Sequence, residues 1–241
     1  MLTESEMQRY RRQITLPDWG ESGQERIKQA KVVVAGAGGL GCSVLTYLAV
    51  AGVGRIRIID GDKVELGNLN RQVLYSEEDI GGAKVNIAGD RLKWLNPDVE
   101  IEALEKVVDE ENVFELMGDW PIVDAMDNLE ARLLLNKAAL HAGTPIFHGA
   151  IHGFEGRATT VIPGQTPCLA CLYQGSLAGE LPVLGAIPGI IGCVQATEVI
   201  KYVLNIGDLL LGRLFTYDSL KQKSGEIRLK RDPGCKECGW V

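Results

Sequence analysis

The sequence predicts an α/β protein: a mostly parallel sheet with helices on both faces, extended by antiparallel strands and carrying a four-cysteine zinc site near its C-terminus. Three observations predict it. Short apolar runs alternate with helical segments from residue 31 to residue 150, the signature of parallel strands joined by crossover helices. A glycine loop (GAGGLG, residues 36–41) follows the first apolar run directly and opens a helical segment. Two Cys-x-x-Cys pairs, Cys168/Cys171 and Cys235/Cys238, bracket the region beyond the parallel part.

The elements read in order as follows. Residues 1–30 are polar and helical in pattern, with a break over 17–23. KVVVA at 31–35 is a buried strand, and 42–52 an apolar helix. RIRIID at 55–60 is the second strand, and 61–80 an irregular polar stretch. Residues 83–95 have helical spacing and stop before Pro97. Residues 99–104 form a third strand, 110–117 a short helix, 122–125 a fourth strand, 129–142 a helix ended by Gly143, and 145–149 a fifth strand. Beyond 150 the strands at 156–162, 214–217 and 226–230 lack long helical crossovers, apart from one helix around 194–204. That argues for an antiparallel extension of the same sheet. With no linker, repeat or low-complexity tract, residues 1–241 read as one nucleotide-binding domain, with 31–150 as its parallel part and 151–241 as the extension with the cysteine knuckles.

Composition bounds the function. The chain has 241 residues, 46% hydrophobic and 24% charged, with 25 Lys+Arg against 32 Asp+Glu and a formal net charge of −7. That is ordinary globular composition, long enough to bury roughly 70% of the unfolded surface without disulfide staples. The acidic balance argues against nucleic acid as a partner. MLTESEMQRYRRQ has no apolar h-region, and no run of 18 apolar residues exists, so a cytoplasmic protein with no membrane partner is expected. In that compartment the six cysteines are not disulfides.

The motifs carry the chemistry. Gly36, Gly38 and Gly41 fit G-x-G-x-x-G in a Rossmann-like strand–loop–helix context, with Asp60 ending the next strand. Glycine admits close approach of phosphate, the helix N-terminus supplies N–H groups and positive dipole, and the carboxylate can take ribose hydroxyls. The loop alone does not choose a dinucleotide over ATP. Asp62, Asn68, Asn70, Arg71 and Lys84 follow closely, and cations there suit the charge of a triphosphate. Asp127, beyond the fourth strand, can hold Mg²⁺ through hard oxygen or can simply cap the helix opening at Leu129. The four knuckle cysteines read as a closed tetrahedral zinc site, structural because no position is left for water. Cys42 and Cys193 read as core residues, His148 and His152 as non-ligands, and Arg9, Arg11 and Arg12 as a solvated basic cluster. The four tryptophans show no stacking pattern.

Taken in order, these residues resemble the ThiF/MoeB/HesA family of adenylyltransferases, relatives of ubiquitin-activating enzymes. The resemblance runs over about residues 7–240 and rests on RYRRQI at 9–14, the glycine loop, Asp60 and Asp62, NLNRQ at 68–72, GAK at 82–84, DAMDN at 124–128 and both knuckles. It implies ATP-dependent adenylylation of the C-terminal glycine of a small ubiquitin-like sulfur carrier of the ThiS or MoaD type, ending in Gly-Gly. The product would serve thiocarboxylate formation for thiamine or molybdopterin. Relatives that activate a tRNA nucleoside or a peptide carboxylate are the alternative; an NAD-dependent dehydrogenase would leave the cations and Asp127 idle. The resemblance assigns the nucleotide to Gly38, Gly39, Gly41, Asp60, Asp62, Asn68, Leu69, Asn70, Arg71, Lys84, Asp127 and Asn128. It gives Arg71, Lys84, Asp127 and Arg12 the catalytic roles, with Mg²⁺ on Asp127 and zinc on the four cysteines. Arg12 corresponds to an arginine that enters the partner subunit's site, which implies a homodimer.

One departure matters. Some relatives carry a cysteine in the crossover loop that links covalently to the carrier. Here residues 172–192 contain none, Ala178 stands near the expected position, and the loop over 175–188 reads as short. Cys193 falls at an expected helix start and is no substitute. The chain is therefore expected to adenylylate without a thioester step of its own, with sulfur coming from a separate donor.

Overall fold

The structure, a computed structural model, describes residues 1–173 and 182–239. KVVVA forms β1 (Lys31–Ala35), and its side chains alternate between two cores. Val32 and Val34 join one cluster with Ile56 and Ile58, while Val33 and Ala35 join the other with Ile59. Both faces of the strand are thus dry, which is why it reads as an unbroken apolar run. Strands β2 (Arg55–Ile59), β3 (Glu100–Leu104), β4 (Ile122–Asp124) and β5 (Ile146–His152) complete the parallel part. Strands β6 (Glu155–Val161), β7 (Arg213–Asp218) and β8 (Lys223–Arg228) continue it antiparallel, giving one eight-stranded sheet in the order β3-β2-β1-β4-β5-β6-β7-β8.

Helices lie on both faces. Short α1 (Glu4–Arg9) and α2 (Arg11–Ile14) precede α3 (Gly20–Gln29), so the helix resumes at Gly20, inside the expected break. Helices α4 (Gly39–Ala51) and α5 (Lys84–Leu95) cover one face. Helices α6 (Val113–Met117), α7 (Leu129–Ala142) and α8 (Leu169–Leu172) cover the other. The last helix, α9 (Ala186–Leu204), begins eight residues before the expected start at 194. Pro188 falls in its first turn, where a missing N–H costs nothing. Gly192 lets it cross α4 closely: a Cβ there would lie 2.7 Å from Ser43 Cβ and 2.8 Å from Leu40 O. By length and composition α9 could span a membrane, yet half of it is buried here against α4, β5 and β6.

Candidate functional site

The chain leaves β1 toward β2 and β3, then returns to β4 on the other side of β1. Loops after β1 and β4 therefore diverge at the carboxyl edge of the sheet, where open α/β sheets hold their ligands. Gly36 has φ of +99°, and a Cβ on it would meet Ala125 O at 2.6 Å, so the two loops touch. Gly41 sits where α4 crosses this turn, with room for no side chain: its Cβ would lie 2.0 Å from Gly36 O. Helix α4 starts on Gly38 without a side-chain cap, so its first N–H groups and its positive dipole end face the crevice. A Cβ on Gly39 would touch Pro188 at 3.1 Å and the Arg71 stem at 3.5 Å. Gln72 lies beside Gly38, and its buried Oε1 has no partner among the described residues. Uncapped donors and an orphaned acceptor are what a nucleotide's phosphates and hydroxyl or amine donors would satisfy.

Asp60 does more than the sequence suggested. Its Oδ2 accepts from Ala37 N at 2.7 Å and its Oδ1 from Asp62 N at 2.8 Å, so it holds the glycine loop as well as facing the crevice. Burial raises its pKa against these amide bonds. Behind the loop, Tyr75 donates to Ala37 O at 2.8 Å and Cys42 Sγ does so at 3.5 Å. Burial pushes the Cys42 thiol up to about 11, as befits a core residue. Cys193 is half-buried within α9, not at a helix start, because the helix begins earlier than its sequence suggests.

Residues 62–64 and 81–84 form a small clasp: Gly81 N donates to Val64 O and Val64 N to Gly82 O, both at 2.9 Å, and Lys84 N to Asp62 O at 3.0 Å. It sets Lys84, almost wholly buried, with Nζ 2.7 Å from the exposed Asp62 carboxylate. Asn68 accepts from Glu65 N at 3.1 Å in a 3₁₀ turn, and Leu69 packs on the core. Arg71 is folded onto its own turn, donating to Gly67 O and to Asn70 Oδ1, both at 2.9 Å.

Between Asp127 and Asn128, the structure chooses the helix cap. Asn128 Oδ1 accepts from Ala131 N at 2.8 Å and caps α7, so the alternative in which Asp127 does so falls. Asp127 stands exposed, with only a 3.4 Å contact from Asn128 Nδ2 among the described residues. A free hard carboxylate beside a phosphate-type crevice fits Mg²⁺. Arg12 is not in this crevice. Its neighbour Gln13 donates to Ala51 O at 3.1 Å, the last residue of α4, and 13 residues of helix put that end about 20 Å from Gly39.

The four cysteines converge beneath α7. All four sulfurs lie within 4.8 Å of one another, with Cys168–Cys171 at 4.0 Å, Cys168–Cys235 at 3.7 Å and Cys171–Cys238 at 3.5 Å. Corners of a tetrahedron with Zn–S of about 2.3 Å lie about 3.8 Å apart, so the set is compatible with zinc. Ala178 and Trp240 lie outside the described residues.

A buried polar network escaped the sequence. Asp124 and His148 are opposed in the β4–β5 register, and His148 Nδ1 lies 2.6 Å from Asp124 Oδ2. His148 Nε2 lies 2.8 Å from the hydroxyl of Tyr173, two residues after Cys171. Burial, aided by Arg132, lowers the pKa of His148 despite Asp124. The neutral ring fits both contacts, with Nδ1–H donating to Asp124 and Nε2 accepting from Tyr173. Gln195 Nε2 donates to Asp124 O at 2.8 Å and Phe147 O at 2.9 Å. Gly149 makes room for it: a Cβ there would lie 2.5 Å from Gln195 Cδ.

The ThiF family pattern matches residues 10–237, nearly the whole chain. The chain belongs to the ThiF family. It is 42% identical over 246 residues to the SAMP-activating enzyme E1 of Haloferax volcanii, covering 99% of this chain and 91% of that protein. It is 42% identical over 250 residues to the sulfur carrier protein adenylyltransferase of Thermus thermophilus, covering 98% and 92%. Among solved structures, Escherichia coli MccB with MccA-N7isoASN superposes with a TM-score of 0.86 at 26% identity, over 96% of this chain and 75% of that one. The sequence-derived family and α/β fold therefore hold for this ThiF member.

Proposed function

We propose that this ThiF-family protein adenylylates the C-terminal glycine of a small ubiquitin-like sulfur carrier, using ATP and Mg²⁺. The observation that carries it is Asp127: an exposed carboxylate whose one side-chain contact among the described residues is Asn128 Nδ2 at 3.4 Å, on the loop that touches Gly36 ahead of the uncapped start of α4, where the Arg71 stem also lies beside Gly39 and Lys84 is held by Asp62. Hydride transfer would leave these groups idle. A triphosphate uses all of them. The terminal carboxylate of the carrier attacks the α-phosphorus, the bond to the bridging oxygen breaks, and pyrophosphate departs. The amides of α4, Arg71 and Lys84 offset the charge of two anions brought together, so positioning and electrostatics dominate catalysis. Mg²⁺ bound at Asp127 would neutralise phosphate charge. Asp60 would orient the ribose, and zinc would pin the C-terminal segment to α8.

The choice of a carrier protein rests on the near end-to-end likeness to the Haloferax and Thermus enzymes, at 42% against 26% for MccB. We read residues 1–241 as one unit, on the strength of the continuous sheet, and as a cytoplasmic enzyme whose α9 belongs to the core. Arg12, at the wrong end of α4 for its own crevice, is read as serving the crevice of a second copy, which makes the protein a homodimer. No cysteine occupies residues 172–192, so sulfur is supplied by a separate donor.

Pyrophosphate exchange into ATP, with a panel of carriers ending in Gly-Gly, tests this reading. Exchange should require one carrier and vanish in Asp127→Ala. Mixtures of Arg12→Ala and Asp127→Ala should regain activity that neither has alone. ATP binding without exchange, whatever the carrier, would refute the sulfur-carrier substrate.

A further inference from the structure

Among the described residues the Asp127 carboxylate meets only Asn128 Nδ2, at 3.4 Å, yet the peptide that carries it is gripped from behind. Asp124 Oδ1 accepts from Met126 N at 3.1 Å. Arg132, on the first turns of α7, donates to Met126 O from Nη2 at 2.6 Å and from Nε at 3.2 Å, and to Gly149 O at 3.2 Å. Its guanidinium lies 3.8 Å from Asp124 Oδ2. Both polar groups of Met126, the residue before Asp127, are thereby fixed by one buried ion pair. Asp124 is in turn held by His148, and His148 by Tyr173 at the edge of the cysteine knuckle. Arg132, Asp124 and His148 are all nearly inaccessible, so none of them can meet a substrate.

We infer that Arg132, Asp124, His148 and Tyr173 form a buried relay that sets the position of Asp127 and ties it to the cysteine knuckle, making Arg132 and Tyr173 positioning residues for the magnesium–nucleotide. The inference rests on the proposed role of Asp127. An arginine suits the task because its planar fork donates to two carbonyls at once, which a lysine cannot reproduce. Groups that orient metal-binding carboxylates typically change metal affinity or activity 10–100-fold when altered.

The test is calorimetric titration of the full-length, zinc-loaded protein with ATP, in the presence and absence of Mg²⁺. The readout is the gain in ATP affinity that Mg²⁺ confers, measured for wild type, Arg132→Lys, Tyr173→Phe, Asp127→Ala and the pairwise combinations with Asp127→Ala. Arg132→Lys should cut that gain by roughly tenfold while leaving magnesium-free ATP binding near wild type. Tyr173→Phe should cut it less, with zinc content intact. In the Asp127→Ala background neither change should have a further effect, because both act through that carboxylate. Equal weakening of ATP with and without Mg²⁺, or a full additional loss on top of Asp127→Ala, would mean a merely structural role and overturn the inference. Should Arg132→Lys fail to fold, Tyr173→Phe, which deletes a single hydroxyl, carries the same comparison. A magnesium gain that survives Asp127→Ala would instead overturn the reading of Asp127 itself, and the relay with it.

Discussion

Substituting Gly41 tests whether the glycine loop sets the nucleotide site. A Cβ at Gly41 would lie 2.0 Å from Gly36 O and 2.8 Å from Gly36 C. Normal contact needs roughly 3.4 Å, so Gly41→Ala must open a gap of about 1.4 Å between the start of α4 and the turn after β1. The turn cannot yield, because Gly36 packs on Ala125 O and its neighbour Ala37 is tied to Asp60 and Tyr75. The N-terminus of α4 must move instead, and with it every amide aimed at the phosphates. A misplacement of about 1 Å costs on the order of 100-fold in rate. The overpacking itself costs about 1–3 kcal/mol, a fall in Tm of roughly 2–12 °C for a chain of this size. Gly89→Ala, within α5, is the control: its Cβ would meet Ile101 Cγ2 at 3.5 Å, an ordinary contact away from the crevice. Pyrophosphate exchange and thermal melting of both variants decide the matter. Gly41→Ala exchanging within twofold of wild type, or Gly89→Ala losing as much activity as Gly41→Ala, would refute the claim that α4 cradles the phosphates.

Two further outcomes are expected. Purified protein should carry one zinc per chain, and a chelator or Cys238→Ala should remove it and lower Tm by at least about 5 °C, whereas Cys193→Ala should keep zinc in full. Zinc-free protein that melts like wild type would rule the metal site out. His148 is held neutral by burial, below its ordinary value, so the unfolded chain takes the proton first as pH falls. Its contribution is fully present above about pH 6.5 and is lost below it, with a slope of up to about 1.4 kcal/mol per pH unit. Urea titrations from pH 7.5 to 5 should show that loss in wild type and a shallower one in His148→Gln, and parallel slopes would refute it.

The parts of the fold legible in the sequence are those where local pattern and tertiary environment agree. β1 and β4 are dry on both faces, so their apolar runs announce them. The glycine loop and each Cys-x-x-Cys pair are local motifs whose chemistry dictates their shape, whereas the clasp around Lys84 joins residues 62–64 to 81–84 and shows only in the structure. Helix α9 is longer than its sequence pattern suggests, since Pro188 and the glycines near it are poor helix formers. Only its crossing with α4 shows that the proline lies in a harmless first turn and that Gly192 is a contact point. Asp127 and Asn128 are adjacent, and both can cap a helix, so only the observed bond to Ala131 separates cap from free carboxylate.

The relay was hidden for a different reason. Asp124, His148 and Tyr173 are separated by 24 and 25 residues, and no spacing rule joins them. The parallel register that places Asp124 opposite His148 joins the first two. Both strands were readable, and their register was not, because neither strand end carries a pattern that a one-residue slip would violate. The buried ion pair of Arg132 and Asp124, at the carboxyl end of β4, costs desolvation that hydrophobic residues would avoid. Its position behind the peptide that carries Asp127 gives that cost a function under the proposed relay: stability is spent on fixing a peptide rather than on packing. The same reasoning separates the two kinds of buried histidine a sequence presents. A histidine in the core is ordinary, but one whose two nitrogens connect the loop after β4 to a residue beside the cysteine knuckle is a mechanical link, and only tertiary register reveals it.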